Sequence, residues 1–301
     1  MLKKLGLFLV ITTMVVTLSA CSTKADNKDT SEKIKVVVSF NAMKEFVEAV
    51  GKDKVDVHTM IPEGTEPHDF EPKAKDMEEL NKAQVFVFNG FGMEKWTEAT
   101  LEAVDNKKLI SIDASKGATP IINTDTEVVK ADAQSDPHLW LSFKGAESQS
   151  KNIKDGLVKA DPTNKDYYEK NYLDFYNKLE DILKDYNTKF SSLTNKTFVT
   201  GHAAFAYLAK DFGLKQNSVE DVFAEGEPSA KKLKSLTDYC KENKIKTIFV
   251  ESMASPKVSE TLAKEVGAKA EKIYTIESKE DNKDYIQSMK DNIEKIYVSL
   301  K

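Results

Sequence analysis

The chain has 301 residues, a formal net charge of -5 at pH 7 and 31% charged residues. A chain of this length can bury one large or two modest hydrophobic cores. Lysines alternate with acidic residues along most helix-like segments and no dense basic patch occurs, so nucleic-acid binding is excluded as the main function.

The N-terminus has the pattern of a bacterial lipoprotein signal. Two lysines precede Leu5–Leu18, which is 14 residues long and uncharged, and small residues lead into Cys21. The apolar run is too short and wrongly flanked for a stop-transfer helix. We predict a signal peptide at residues 1–20, lipidation of Cys21, and a flexible polar tether at residues 21–33. The weaker alternatives are an ordinary cleaved signal and a transmembrane anchor.

The only other cysteine, Cys240, lies in a helix-like segment and is predicted to be a small buried hydrophobic residue. A disulfide between Cys240 and a lipidated Cys21 is implausible. A metal site built from a cluster of thiolates is therefore excluded.

Short runs rich in Val, Ile and Phe alternate with charged segments of helical periodicity. In the first half, strands and helices are predicted in turn at Ile34–Phe40, Met43–Val50, Val55–Ile61, Lys73–Lys82, Gln84–Asn89, Glu94–Val104 and Leu109–Asp113. The second half adds strands at Thr197–Thr200, Thr247–Glu251 and Lys272–Ile276. This alternation favours parallel sheets with helices on both faces.

A segment of about 30 residues without Gly or Pro, Asn164–Leu193, separates the two groups of strands. Its apolar residues recur every three or four positions, which predicts one helix of roughly 45 Å that begins after Asp161. We predict an α/β fold with two lobes, each a mainly parallel sheet flanked by helices, joined by one long rigid helix. The predicted boundaries are 34–160, 161–194 and 195–301. A single large sheet with a long surface helix is the alternative.

Three of the four histidines stand in predicted loops or at strand ends. His68 and His138 each follow an acidic residue and a proline, which restricts the incoming backbone, and His202 follows the strand Thr197–Thr200. Ligands of open α/β sheets gather at the carboxyl ends of strands, and neutral imidazole is the commonest protein ligand for transition metals. These residues predict a metal site shared by the two lobes, whereas His58 on an alternating strand is given a structural role.

A carboxylate from the second lobe would complete a tetrahedral site. Two residues follow predicted strands there, Glu251 after Phe249-Val250 and Glu277 after Thr275-Ile276. The residues alone leave both candidates open.

Five segments carry a further signal. They are Ile61–Pro72, Phe88–Trp96, Asp136–Ser142, Gly201–Tyr207 and Glu227–Ala230. Together and in this order they resemble the metal-binding lipoproteins of bacterial ABC transporters, the zinc and manganese solute-binding proteins, some of which are described as adhesins. The resemblance extends from about Lys35 to Leu300, and its motifs are highly specific for this family when they occur together and in this order.

The resemblance implies a fold of two α/β lobes joined by one long helix. It also implies that His68 and His138 are the first two metal ligands and that His202 is the third, where many manganese-type members have Glu. The fourth ligand is an acid about 75 residues after the third, which Glu277 fits. Glu251 is then given a supporting or structural role beside the ligands. The His-rich loop of many zinc-type relatives is missing here.

Three imidazoles and one carboxylate suit Zn²⁺ better than Mn²⁺, which prefers more oxygen ligands. Zinc is predicted as the bound substrate, with manganese less favoured. Because protons compete for imidazole nitrogen, the affinity is expected to fall below about pH 6.5.

The resemblance implies an extracytoplasmic receptor, anchored to the cell membrane by lipid at Cys21, that delivers zinc to an ABC transporter permease. We predict a monomer with no enzyme activity. A catalytic zinc has three protein ligands and an open water position, and neither His-Glu-x-x-His nor Gly-x-Ser-x-Gly occurs in the sequence. The alternatives are a manganese receptor of the same family or a surface adhesin with a structural zinc.

Overall fold

The computed structural model describes residues 33–122, 135–224, 228–252 and 256–301. Residues 33–301 form one compact unit. The predicted signal peptide at residues 1–20, the lipidation site Cys21 and the tether up to residue 32 lie outside the described residues.

The first half of the chain forms a four-stranded parallel sheet with the order β2-β1-β3-β4. Its strands are β1 Ile34–Val38, β2 Val55–Thr59, β3 Val85–Phe88 and β4 Ile110–Asp113. The helices of this half are α1 Asn41–Gly51, α2 Ala74–Lys82, α3 Thr97–Ala103 and α4 Phe143–Ala160. β1 and β3 are apolar nearly throughout because they are central and buried on both faces.

One long helix, α5 Lys165–Ser191, follows a short 3-10 turn at Pro162–Asn164. With 27 residues it is about 40 Å long. The buried residues of α5 recur every three or four positions, as expected for one face against the core: Tyr168, Phe175, Leu179, Leu183, Tyr186 and Phe190. The prediction of one helix between two groups of strands is confirmed.

The second half forms a separate four-stranded parallel sheet with the order β6-β5-β7-β8. Its strands are β5 Thr197–Thr200, β6 Lys215–Ser218, β7 Thr247–Val250 and β8 Lys269–Lys272. The helices are α6 Ala206–Phe212, α7 Ala230–Glu242, α8 Pro256–Val266 and α9 Tyr285–Ser299. The two sheets share no strand, which confirms the two-lobed α/β prediction over the single large sheet. The exact lobe boundaries stay a prediction.

The predicted strand Lys272–Ile276 is wrong in position, because the last strand is β8. The residues after β8 are buried and apolar, like a central strand, but they leave the sheet. The carbonyls of Thr275 and Ile276 instead accept hydrogen bonds from side chains of the first half, Trp140 and Asn41. This segment has the apolar pattern of a strand because it is buried, although it pairs with no strand that the structure describes.

The hydrophobic core follows a different division from the sheets. The larger cluster of buried residues joins the first sheet, α5 and α9, which contributes Met289 and Ile293 among others. A smaller cluster, with Val199 and Ile248, lies between β5, β7, α7 and α8. The C-terminal end of the chain is therefore packed into the same core as the N-terminal sheet.

A membrane-crossing helix would need about 20 predominantly apolar residues. Among the helices that the structure describes, none is both long and apolar enough to cross a membrane.

Candidate metal centre

Four buried side chains meet beyond the carboxyl ends of the strands. His68 lies in a 3-10 turn between β2 and α2, and His138 lies directly before the turn that leads into α4. His202 is the second residue after β5, and Glu277 lies between β8 and α9. Parallel sheets present ligands at this edge, so both halves contribute to one site.

The four side chains converge on a common point. Each offers one ligand atom, and these atoms all lie within 4.8 Å of one another. The Nε2 atoms of His138 and His202 are 3.3 Å apart, and the His68 and His138 rings are 5.3 Å apart between centroids. Exposure is 7% for His68, 0% for His138, 3% for His202 and 4% for Glu277. An ion between them would be shielded from solvent.

A carboxylate holds the His138 ring in place. The Nδ1 atom of His138 lies 2.9 Å from Oδ1 of Asp136, which also accepts the backbone N–H of His138 at 2.9 Å. The His138 ring also packs against Trp140, with 5.0 Å between ring centroids. The sequence placed Asp136 near the site but did not single it out among several acids.

His202 is held in the same way by Glu251. The Nδ1 atom of His202 lies 2.7 Å from Oε2 of Glu251, and the backbone N–H of His202 donates to the same oxygen at 3.0 Å. A Cβ added at Gly201 would lie 2.7 Å from that oxygen, so only glycine there lets the carboxylate reach the ring. Glu251 thus lies behind His202 rather than in the group of four.

The two carboxylates set the tautomers of the two rings. When Nδ1–H donates to a carboxylate, Nε2 of a neutral imidazole carries a bare lone pair. When both rings are neutral, the Nε2 lone pairs of His138 and His202 point at each other across 3.3 Å. Two acceptors at this separation repel unless a cation or a proton lies between them, and the same orientation is the usual support of a metal-binding histidine.

The other two members of the group, His68 and Glu277, have buried polar atoms that make no hydrogen bond in the part of the chain that the structure describes. Within the described residues, neither ring nitrogen of His68 and not Oε1 of Glu277 has a hydrogen-bond partner. The second carboxylate oxygen of Glu277 accepts the hydroxyl of Thr275 at 2.7 Å. Buried polar atoms without partners are rare in native proteins. A metal ion would satisfy one ring nitrogen of His68 and the Glu277 oxygen, because a neutral imidazole binds a metal through one nitrogen only.

The pKa values of the three histidines differ strongly. Burial, and then the neighbouring imidazoles, lower the pKa of His68 to about 2 and that of His138 well below its ordinary value. Burial also acts to lower the pKa of His202, but the charge and hydrogen bond of Glu251 outweigh it and raise the value to about 9. His68 and His138 are therefore neutral and ready to bind a metal, while His202 carries a proton at neutral pH.

The carboxyl group of Glu277 is also perturbed. Burial, and then the charge of Glu66, raise its pKa to about 8. Glu66 is itself largely buried, which raises its pKa, and it accepts the backbone N–H of His68 at 3.3 Å. A bound divalent cation would favour the ionised carboxylate, because it supplies the opposite charge that the site otherwise lacks.

Phe223 lies over one side of the site. Its ring centroid is 5.4 Å from that of His68, and Lys95 Nζ lies 5.3 Å from the Phe223 ring centre. Sequence reasoning assigned no role to Phe223 or Glu66. The Glu66-Pro67-His68 frame was a signal that could have identified Glu66. No local pattern marks Phe223, because it reaches His68 from the other half of the chain.

The structure brings together all four residues that the sequence singled out as metal ligands, and it leaves His58 on the exposed side of β2. Their assignment as ligands remains a prediction. Cys240 is buried and free, as the sequence predicted.

Comparison with known proteins identifies the family. Residues 36–298 match the family model described as "Zinc-uptake complex component A periplasmic". The chain belongs to this family. The resemblance to zinc-type solute-binding proteins is therefore confirmed over nearly the whole chain.

Individual relatives agree with the family match. The chain is 39% identical over 315 residues to "High-affinity zinc uptake system protein ZnuA" of Bacillus subtilis (strain 168), with 100% of this chain and 99% of the relative covered. It is 41% identical over 287 residues to a "Putative metal-binding protein" of Treponema pallidum (strain Nichols), covering 92% and 91%.

A solved structure confirms the fold. The laminin-binding protein Lmb of Streptococcus agalactiae, described as a bifunctional protein with adhesin and metal transporting activity, superposes with a TM-score of 0.81. The identity is 34%, and the superposition covers 90% of this chain and 100% of the Lmb chain.

Proposed function

We propose that this protein is a zinc receptor that captures Zn²⁺ outside the cytoplasmic membrane and delivers it to the permease of an ABC transporter. The observation that carries the proposal is the group of three imidazoles and one carboxylate whose ligand atoms lie within 4.8 Å of one another. Membership of the periplasmic zinc-uptake family and the likeness to the zinc uptake protein of Bacillus subtilis support it.

The donor set favours zinc over manganese. Zn²⁺ accepts four ligands in a tetrahedron, with bonds of about 2.0–2.2 Å to nitrogen and oxygen. Mn²⁺ prefers more oxygen ligands, so three imidazoles suit it less well. His68, His138, His202 and Glu277 are the proposed ligands, and Asp136 and Glu251 fix the orientation of two of the rings.

Four protein ligands also separate a receptor from an enzyme. A catalytic zinc keeps one position open for water, whereas the group of four leaves none in a tetrahedral ion. The family is one of solute-binding receptors, and the proposed role here is binding without catalysis.

The mode of attachment follows from the N-terminal sequence. We propose that lipid at Cys21 anchors a monomeric receptor to the membrane, because the segment before it has the pattern of a lipoprotein signal. Palmitate labelling of cells that express the protein tests this. Cys21→Ser is expected to lose the label and Cys240→Ser to keep it; label on both variants contradicts the anchor.

The metal assignment is tested by calorimetry on metal-stripped protein. Wild type is expected to bind one Zn²⁺ more tightly than Mn²⁺, and His202→Ala to lose at least about 100-fold in zinc affinity because one of four ligands is gone. His58→Ala is the matched control, since His58 is an exposed histidine outside the group. Tighter manganese binding, or equal effects of the two variants, would contradict the assignment.

A further inference from the structure

The backbone around Glu277 is held by hydrogen bonds from the first half of the chain. Thr275 to Lys279, here called the 275–279 segment, lie between β8 and α9. Each residue of the segment makes a hydrogen bond to the first half. Trp140 Nε1 donates to Thr275 O at 2.7 Å, and Asn41 donates from Nδ2 to Ile276 O and from its backbone N–H to Glu277 O, at 3.3 Å each. The Gly64 N–H donates to Ser278 Oγ at 2.9 Å, and the Lys279 N–H donates to Glu63 Oε2 at 2.6 Å.

The backbone of the segment is strained next to the ligand. Ile276 has a φ of 61°, in the left-handed region, and its side chain is 3% exposed. A β-branched residue rarely adopts this conformation because its Cβ branches crowd the backbone. Such strain persists only where surrounding contacts overdetermine it, and it is common at ligand clamps.

Asn41 makes the contacts that hold this conformation. It is the first residue of α1 and is 3% exposed. Its backbone N–H and its side-chain N–H donate to the carbonyls of two successive residues, Glu277 and Ile276. Two donors from one buried residue fix the direction of the Ile276–Glu277 backbone, and hence where the Glu277 side chain begins.

We propose that Asn41 is a positioning residue that holds the strained Ile276–Glu277 backbone from the other half of the molecule, so that its contact determines how long Glu277 stays on the bound metal. When the halves shift and Asn41 withdraws, Ile276 relaxes and carries Glu277 out of the group of four. The inference rests on the proposed function, because it assumes that Glu277 is a zinc ligand.

The test compares zinc dissociation from wild type and Asn41→Ala, measured by stopped flow with an excess of a chelating dye. Loss of the side-chain bond is expected to speed dissociation about tenfold, within the range of a single coupled contact. Asn106→Ala is the matched control, because the Asn106 amide also donates to two carbonyls, those of Leu80 and Ala83. Asn106 lies before β4, at the amino ends of the strands, whereas the metal centre lies beyond their carboxyl ends. The control is expected to keep the wild-type rate.

Two readouts separate positioning of Glu277 from general loosening. The Co²⁺-loaded Asn41→Ala protein is expected to shift its visible absorption towards that of Glu277→Ala, since the carboxylate is lost from the metal in both. In a Glu277→Ala background, Asn41→Ala is expected to change the zinc dissociation rate less than twofold. An equal acceleration in both backgrounds overturns the inference.

Further outcomes are decisive as well. If Asn41→Ala does not fold, Ser278→Ala replaces it, because this change removes only the Gly64 contact and is expected to speed release to a smaller extent. Wild-type release from either folded variant overturns the inference. If His138→Ala leaves zinc affinity unchanged, the proposed function fails instead, and the two failures are distinguishable.

Discussion

His202 differs from the other two histidines because it is charged at neutral pH. Glu251 raises its pKa to about 9, whereas the pKa of His68 falls to about 2. A metal-free site therefore holds a proton close to where the ion goes, and that proton offsets the negative charge of the surrounding carboxylates. Zinc binding at pH 7 must release this proton and the proton of Glu277.

This predicts a pH dependence at higher pH than free imidazole would give. The groups with raised pKa values, His202 at about 9 and Glu277 at about 8, are protonated below those values and compete with zinc. Zinc affinity is therefore expected to rise by about one to two decades per pH unit from pH 6 towards pH 8 and to level off above about pH 9. Chelator competition at pH 6, 7, 8 and 9 measures it. A constant affinity from pH 7 to 9 contradicts the assignment.

Glu251→Gln tests whether the carboxylate acts by orienting His202. The amide keeps the size but removes the charge, so zinc affinity is expected to fall about 10- to 100-fold at pH 9, where proton competition is weak. Calorimetry measures the loss. Glu220→Gln is the control, because Glu220 also acts on His202 by its charge but, among the described contacts, makes no hydrogen bond to the ring. Equal losses in both variants would show that only charge matters.

At the scale of elements, α4 and α5 bring together two acids that serve no role at the metal centre. Glu147 on α4 is partly buried beside Glu180 on α5, and one of its oxygens has no partner among the described residues. Burial, and then the hydrogen bond and charge of Glu180, raise the pKa of Glu147 to about 8. Glu147 therefore holds a proton at neutral pH.

This pair predicts a pH-dependent stability. A group with a raised folded-state pKa binds more protons when folded, so stability is lost as pH rises from about 4.5 through about 8. Glu147→Gln is expected to raise the free energy of unfolding by about 1 kcal/mol at pH 8.5 and to change it little at pH 4.5, with the value reduced because the site is partly exposed. Urea unfolding at both pH values measures it. The exposed Glu260→Gln on α8 is the control, and a gain at pH 4.5 as large as that at pH 8.5 would contradict the explanation.

The sequence predicted some elements better than others for physical reasons. The central strands β1 and β3 are buried on both faces, so their continuous apolar runs identified them. The edge strand β6 is partly exposed and contains Lys, Gln, Asn and Ser, so it has no apolar pattern and was missed. The segment after β8 was taken for a strand because burial against the first half makes it apolar.

The site was predictable to a similar, limited degree. His68, His138 and His202 stood out because imidazole is scarce in this chain and each lies beyond a strand or in a loop. Glu277 and Glu251 could not be separated from the residues alone, since both follow apolar runs, and only the family spacing favoured Glu277. The hydrogen bond from Asn41 to Ile276 could not be predicted, because it joins residues 235 apart in sequence.

At the scale of the whole molecule, the two sheets and the hydrophobic core divide the chain differently. The metal centre takes His68 and His138 from the first half and His202 and Glu277 from the second. The 275–279 segment belongs to the second half in sequence, but each of its residues makes a hydrogen bond to the first half. The position of one ligand therefore depends on contacts across the molecule, which suits a receptor that must both hold and release its metal.

The central claim is that one zinc ion joins both halves of the molecule through these four side chains. Anomalous diffraction at the zinc absorption edge, from crystals of the zinc-loaded protein, tests it most directly. The account predicts a single strong peak, with about 2.0–2.2 Å from the ion to one nitrogen of each of the three histidines and to an oxygen of Glu277. A peak elsewhere, or an ion that leaves out the residues of one half, would contradict it.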